Sequence, residues 1–130
     1  MKKSAINFNV SLDENHVPEE IEWSATETGE EELKKAKAMI VTRSRLHAVR
    51  YKKAVDAYLA EQNLPIKTIV AFSGTVKDGD LEYTEAQMNG VPENQTAETF
   101  KEDEYKFLIV AEKFQTGFDE PLLSAMYVDK

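Results

Sequence analysis

Cysteine is absent from the sequence, and histidine occurs only twice, at His16 and His47. Without cysteine there can be no disulfide framework, no thiolate metal site and no cysteine nucleophile. Two histidines are also too few for a histidine-rich metal site. This composition fits a reducing compartment, and we therefore expect a cytoplasmic protein.

Long apolar segments are missing as well. The longest uninterrupted apolar run covers residues 107–111, whereas a helix that crosses a bilayer needs about 20 residues. The lysines near the N-terminus are not followed by an apolar region of signal-peptide length. We expect neither secretion nor a membrane partner. The 130 residues, 42% of them hydrophobic, are enough for one small domain with a single core.

Positive charge is concentrated in one part of an acidic chain whose formal net charge is −8. Residues 1–33 contain nine acids and two bases, and we interpret residues 1–34 as an acidic N-terminal lead-in. Residues 34–55 contain eight bases and no acid. Such a stretch suits a sugar-phosphate backbone, although a solvated helix face has the same composition.

Short apolar runs alternate with amphipathic stretches, which predicts an α/β fold with a parallel sheet covered by helices. The predicted strands are residues 38–41, 66–72, 107–111 and 124–128. A helix is predicted from Ser44 to about Gln62, with Pro65 as its stop signal. Asn94 is predicted to cap a short helix over residues 95–103, with Ala97 and Phe100 on one side. Residues 73–94 form a long polar connection for which the sequence predicts no structure.

In a parallel sheet the carboxyl ends of the strands meet at one edge, where ligands bind. Two hydroxyls and two guanidiniums follow the first predicted strand at a helix N-terminus, which favours anions. This candidate phosphate grip consists of Thr42, Arg43, Ser44 and Arg45. Ser73 and Gly74 follow the second strand. An ordinary N-cap beside solvated arginines would give the same pattern.

The sequence has no G-x-x-x-x-G-K-[ST] loop, so it has no recognisable means of cradling nucleotide phosphates by itself. No serine–histidine–acid arrangement is indicated, and no spacing of carboxylates singles out an acid–base pair or a metal site. We expect no catalytic residue and no metal ligand in this chain.

Several segments resemble one protein family. Residues 37–45, with Ala48 and Tyr51, resemble motif IV in the R (restriction) subunit of type I restriction enzymes, and residues 70–76 resemble the next conserved block. Residues 107–121 and 126–130 resemble motif V and the strand after it. The general helicase form of motif V has a Val-Ala-Thr start and a Gly-hydrophobic-Asp-x-Pro ending. The ending is present at residues 117–121, whereas Glu112 stands in the place of the threonine.

The resemblance implies a three-layer, RecA-like parallel sheet over residues 35–130. By this resemblance the sheet is expected to be the second motor lobe of a superfamily 2 helicase, with motifs IV to V and without motif VI. It assigns contacts with the DNA backbone to the candidate phosphate grip, to Ser73 and Gly74, and to Thr116. It places Gly117 and Asp119 in the nucleotide cleft.

The family's parent subunit uses ATP and Mg²⁺ to translocate along double-stranded DNA, and a nuclease domain elsewhere in it cuts the DNA. Its partners are the methyltransferase and specificity subunits. The second lobe is paired with a first RecA-like lobe, and the nucleotide cleft lies between the two. The resemblance therefore implies part of an ATP-dependent type I site-specific deoxyribonuclease. For this chain alone we expect no activity and no cofactor.

Two other functions stay open. The chain could be a lobe of another superfamily 2 DNA helicase. Motif VI and the sequence after it would distinguish such a helicase from a type I restriction enzyme subunit. It could instead be a stand-alone acidic α/β interaction module that has a helicase-lobe shape, has no catalysis and binds a protein through residues 1–33. Capture of a protein partner without DNA binding would favour the interaction module.

Overall fold

A computed structural model describes residues 5–15, 17–26, 37–111 and 123–128. Its elements form a parallel sheet, two antiparallel hairpins and three α-helices within these residues. In chain order they are β1 Ala5–Leu12, β2 Pro18–Thr26, β3 Lys37–Thr42, α1 Arg45–Glu61, β4 Lys67–Ala71, β5 Thr75–Asp78, β6 Leu81–Thr84, α2 Glu85–Asn89, a 3₁₀ turn Glu93–Gln95, α3 Thr96–Phe100, β7 Tyr105–Ala111 and β8 Leu123–Val128.

The parallel sheet has the strand order β4-β7-β3-β8, which confirms the predicted α/β class. No strand boundary differs from its prediction by more than two residues. β3 and the apolar part of β7 are buried on both faces, which is why their sequences are continuous apolar runs rather than alternating ones. Their register pairs Ile40 with Ile109 and Thr42 with Ala111.

Helix α1 covers one face of the sheet. Ala48, Tyr51, Val55 and Leu59 are buried at spacings of three and four residues, and they pack on the sheet residues that point to this side. The helix ends at Glu61, and Asn63 takes the left-handed conformation with φ 56°. Its end therefore comes before Pro65, because the chain turns at an asparagine that tolerates positive φ.

The opposite face buries a second cluster, to which α3 contributes Phe100. The prediction for this short helix was wrong in three respects. The helix covers Thr96–Phe100 rather than residues 95–103. Gln95 occupies the N-cap position and no side chain caps the helix, so Asn94 is not its cap. Thr96 and Phe100 are buried while Ala97 is exposed, because the buried side of α3 follows a spacing of four residues rather than three.

The long connection after β4 is ordered by hairpin β5–β6 and helix α2. Gly79, with φ 67°, lies in the two-residue turn between the strands, a position that favours glycine. The Gly79-Asp80 pair that forms this turn is a hairpin signal, although residues 73–94 were predicted only as a polar connection.

Side chains from α1 and α2 bind the main chain along the β4 edge of the sheet. Asn89 donates to the Val70 carbonyl and accepts from its N–H, and Lys52 donates to the Thr68 carbonyl. Main-chain groups on this edge strand are therefore satisfied by side chains instead of by another strand.

Residues of the acidic N-terminal segment form a second hairpin, β1–β2, which the sequence analysis did not predict. Its strands pair from Ala5 opposite Thr26 to Leu12 opposite Pro18, with an irregularity between Ser11 and Leu12. Val10 and Leu12 pack on the same core cluster as α1.

Candidate nucleic-acid interface

The carboxyl edge of the sheet brings together two groups that are far apart in sequence. The Nη1 atom of Arg45, in the first turn of α1, donates a hydrogen bond of 2.7 Å to the main-chain carbonyl of Ser73. Ser73 and Gly74 lie just beyond the end of β4, after Phe72. Because parallel strands end at one edge, a helix start after β3 and a turn after β4 become neighbours, as the sequence predicted.

Gly74 packs closely against the Arg45 side chain. Its φ is 73°, and a Cβ atom added there would lie 3.1 Å from Nη1 of Arg45. We expect Gly74→Ala to destabilise the fold by about 1 kcal/mol, because alanine disfavours the left-handed conformation, and also to displace the guanidinium.

Gly90 is a matched control for this substitution. Its φ is 74°, and an added Cβ would meet nothing within 4 Å. Thermal denaturation should show a similar loss for Gly90→Ala, while the NMR signal of the Arg45 Nε–H group should move only in Gly74→Ala. Equal Arg45 signals in both variants would contradict the packing argument.

Ser44 is the N-cap of α1, as its position in the sequence predicted. Its Oγ accepts a hydrogen bond of 3.1 Å from the main-chain N–H of His47 and lies 2.9 Å from Nδ1 of the same residue. The hydroxyl is thus held at the start of the helix, where main-chain N–H groups and the helix dipole favour anions.

The remaining predicted site residues differ in their placement. Thr42 is fully buried, and its Oγ1 lies 3.0 Å from the carbonyl oxygens of Val110 and of Ser44, so this hydroxyl links β3 to β7. Arg43 is exposed beside the helix start. Thr116, Gly117 and Asp119 lie outside the described residues.

The basic stretch does not form one continuous cationic surface. Lys37 has no exposed surface, and its ammonium group donates to the Glu102 and Tyr105 carbonyls and lies 4.9 Å from the centre of the Phe100 ring. Lys52 is 7% exposed and pairs with Asp56 at 2.8 Å. These two lysines stabilise the fold from buried positions, so neither the phosphate-binding interpretation nor the solvated helix face applies to them.

Two further bases of this stretch bind to hairpin β5–β6. Arg50 makes hydrogen bonds to both carboxylate oxygens of Asp78, at 3.3 Å and 3.1 Å. Hydrogen bonding by this guanidinium lowers the pKa of Asp78, because it favours the charged carboxylate. Lys53 donates to the Tyr83 hydroxyl at 3.0 Å. Arg43 and Arg45 are the exposed bases at the carboxyl edge within the described part of the chain.

A groove of about 430 Å³ lies at the opposite edge of the sheet, beside the amino ends of β4 and β7. Leu64, Ile66 and Tyr105 line it together with Lys52 and Thr68. Two of its charged side chains bind each other: Lys52 pairs with Asp56 and also donates to the Thr68 hydroxyl at 2.8 Å.

Metal and membrane features are both missing from the described ranges. These residues contain no group of three or more histidine, cysteine, aspartate or glutamate side chains that could hold a metal ion. In the same part of the chain, no helix is long and apolar enough to span a bilayer.

No family model and no solved structure matches this α/β chain. It is similar to a protein of Methanocaldococcus jannaschii that is named as an endonuclease subunit of the type I restriction enzyme MjaVIIP. The two sequences are 33% identical over 113 residues, an alignment that covers 74% of this chain. The chain spans about a tenth of that relative's length. The similarity supports a relationship to type I restriction enzymes, in agreement with the motif resemblance.

Proposed function

We propose that this chain is the DNA-contacting part of the second RecA-like lobe in the motor of a type I restriction enzyme R subunit. It would contact the backbone of duplex DNA and form one side of the ATP cleft. The observation that carries the proposal is the convergence of Arg45 with Ser73 and Gly74 at the carboxyl edge of a parallel sheet.

The chemistry of this edge suits backbone contacts. Guanidiniums, hydroxyls and main-chain amides bind phosphates without reading base edges, and a motor that steps along any sequence needs such contacts. Arg43 and Arg45 are exposed there, Ser44 lies at the helix start, and Thr116 joins them by resemblance alone. Thr42 would act indirectly, since its buried hydroxyl supports the turn.

The other roles belong to the parent protein. ATP and Mg²⁺ would bind between this lobe and a first RecA-like lobe, with Gly117 and Asp119 on this lobe's side. The methyltransferase and specificity subunits would supply DNA recognition for an ATP-dependent deoxyribonuclease. The chain by itself would bind DNA weakly, because its net charge of −8 opposes association with a polyanion.

The test is a fluorescence-anisotropy titration of a labelled duplex at about 50 and 200 mM salt. We expect binding that is independent of sequence and that weakens steeply with salt. Replacing Arg43 and Arg45 together by alanine should reduce affinity about tenfold at the lower salt and reduce the salt slope by about 2, because two phosphate contacts are lost.

A control variant with the same charge change is available at the opposite edge. Lys67 and Lys101 are exposed and lie on surface ion pairs with Glu104 and Glu98. Replacing both by alanine should leave duplex affinity within about twofold of the unmodified chain. Equal affinity losses in the two double variants would refute a DNA site at the carboxyl edge. If no variant bound DNA but a protein partner were captured, the hypothesis of a protein-interaction module would replace that of a DNA-contacting motor lobe.

A further inference from the structure

Hairpin β5–β6 carries acidic side chains to the first part of α1, residues 45–55, which contains no acid. Between Thr75 and Thr84 there are three acids and one lysine, a net charge of −2. This hairpin lies beside the carboxyl edge, directly after Ser73 and Gly74. It therefore adjoins the surface that we propose contacts DNA.

The contact between Arg50 and Asp78 has the geometry of an arginine that binds a phosphate. Two nitrogen atoms of one guanidinium, Nε and Nη2, each donate to a different oxygen of the carboxylate. An arginine binds two phosphate oxygens in the same paired arrangement. The Arg50 side chain is still 37% exposed, so its position is accessible from solvent.

Lys53 is a second base that helps to neutralise the Asp78 carboxylate. It lies three residues after Arg50 on the same side of α1, and its charge also lowers the pKa of Asp78. Its ammonium group is 5.1 Å from the centre of the Tyr83 ring, so both bases are turned toward the hairpin.

We propose that this hairpin sets the limit of the DNA-contacting surface, because the Asp78 carboxylate occupies the Arg50 guanidinium that would otherwise bind a DNA phosphate. The proposal rests on the proposed function and deepens it. Duplex DNA then contacts the edge formed by Arg43 and Arg45, while Arg50 takes no part in the binding.

Asp78→Asn tests the proposal, with Asp80→Asn as the matched control. Asp80 is exposed in the turn of the same hairpin, and both substitutions change the net charge by one unit. We expect Asp78→Asn to bind duplex DNA severalfold more tightly than Asp80→Asn at about 50 mM salt. Its affinity loss between about 50 and 200 mM should be roughly threefold larger, the effect of one added phosphate contact. Adding Arg50→Gln to Asp78→Asn should remove the gain.

The double variant Arg50→Gln, Asp78→Asn provides a second test that removes both charges of the pair. It should bind DNA as well as the double variant Lys101→Gln, Glu98→Gln, which removes an ion pair at the opposite edge. The proposal is overturned if the Arg50 and Asp78 double variant binds more weakly than this control, or if Asp78→Asn binds no better than Asp80→Asn. If only Asp78→Asn binds DNA, the limiting role of the hairpin is supported and the proposed DNA site at the carboxyl edge is refuted. If no variant binds DNA, the limiting role of the hairpin and the carboxyl-edge site are both wrong.

Discussion

Phe100→Ala should lower the free energy of unfolding by about 3–5 kcal/mol, measured by urea denaturation followed by circular dichroism. The ring is 1% exposed, and it is the one apolar side chain of α3 that is buried. A helix of five residues is not stable by itself, so α3 depends on this contact with the second face of the sheet. The ring also supports the buried ammonium group of Lys37.

Ala97→Ser is the control for this prediction. Ala97 is on the exposed side of the same helix, and its substitution should change stability by less than about 0.5 kcal/mol. The pair of variants also distinguishes the observed register of α3 from the predicted one, in which both residues lie on one side. A large loss in Ala97→Ser would favour the predicted register, and a small loss in Phe100→Ala would contradict the burial of the ring in either register.

Glu85→Ala should also be strongly destabilising, by about 2–4 kcal/mol at neutral pH, because it removes two buried hydrogen bonds. One carboxylate oxygen of Glu85 accepts the Phe72 N–H at 2.9 Å, and the other accepts the Thr96 hydroxyl at 2.5 Å. Glu85 is 4% exposed, and it connects α2 to the end of β4 and to the start of α3. Without it, the donors of Phe72 and Thr96 are left without their partner.

Glu85→Gln should keep both hydrogen-bonded contacts, to Phe72 and to Thr96, and should change how the stability of the fold depends on pH. The amide oxygen can accept the Phe72 N–H, and the amide nitrogen can donate to the Thr96 oxygen. Burial raises the pKa of Glu85 above its ordinary value, with a smaller contribution from Glu93, while the bonds from Thr96 and Phe72 oppose the shift.

The sign of the pH effect follows from this raised pKa. The folded state holds the Glu85 proton more tightly than the unfolded chain, so the contribution of this group to stability is largest below its ordinary pKa. That contribution declines as pH rises through the folded pKa. Glu85→Gln lacks this dependence, and its stability relative to the unmodified chain should increase between about pH 4 and pH 7. Thermal melts across this range measure the difference, and a difference that is constant with pH would contradict the raised pKa.

Helix α1 and the sheet were predictable because the signals are local. The helix has apolar residues at spacings of three and four and a serine at its N-cap, and both features act within a few residues. The central strands are apolar runs because both of their faces are buried. The meeting of Arg45 with Ser73 was predictable as well, since it follows from parallel strands ending at one edge.

The roles of the basic residues could not be predicted in this way. Lys37 and Arg50 lie in one acid-free stretch, yet Lys37 is buried against main-chain carbonyls and Arg50 binds an acid 28 residues away. Charge counted along the chain does not show which groups a side chain meets in the fold. The same limit applies to Glu85, whose partners Phe72 and Thr96 are more than ten residues distant.

The sequence by itself determined the α/β class, the extents of α1 and of the sheet strands, and the edge at which Arg45 meets the Ser73–Gly74 turn. It did so because hydrophobic periodicity and capping are properties of neighbouring residues, and because the alternation of strands and helices along the chain predicts parallel strands. The tertiary structure alone decided which bases are buried, which are paired and which face solvent at the carboxyl edge. Those outcomes depend on contacts between distant segments, in which desolvation and hydrogen bonding determine where each charge lies.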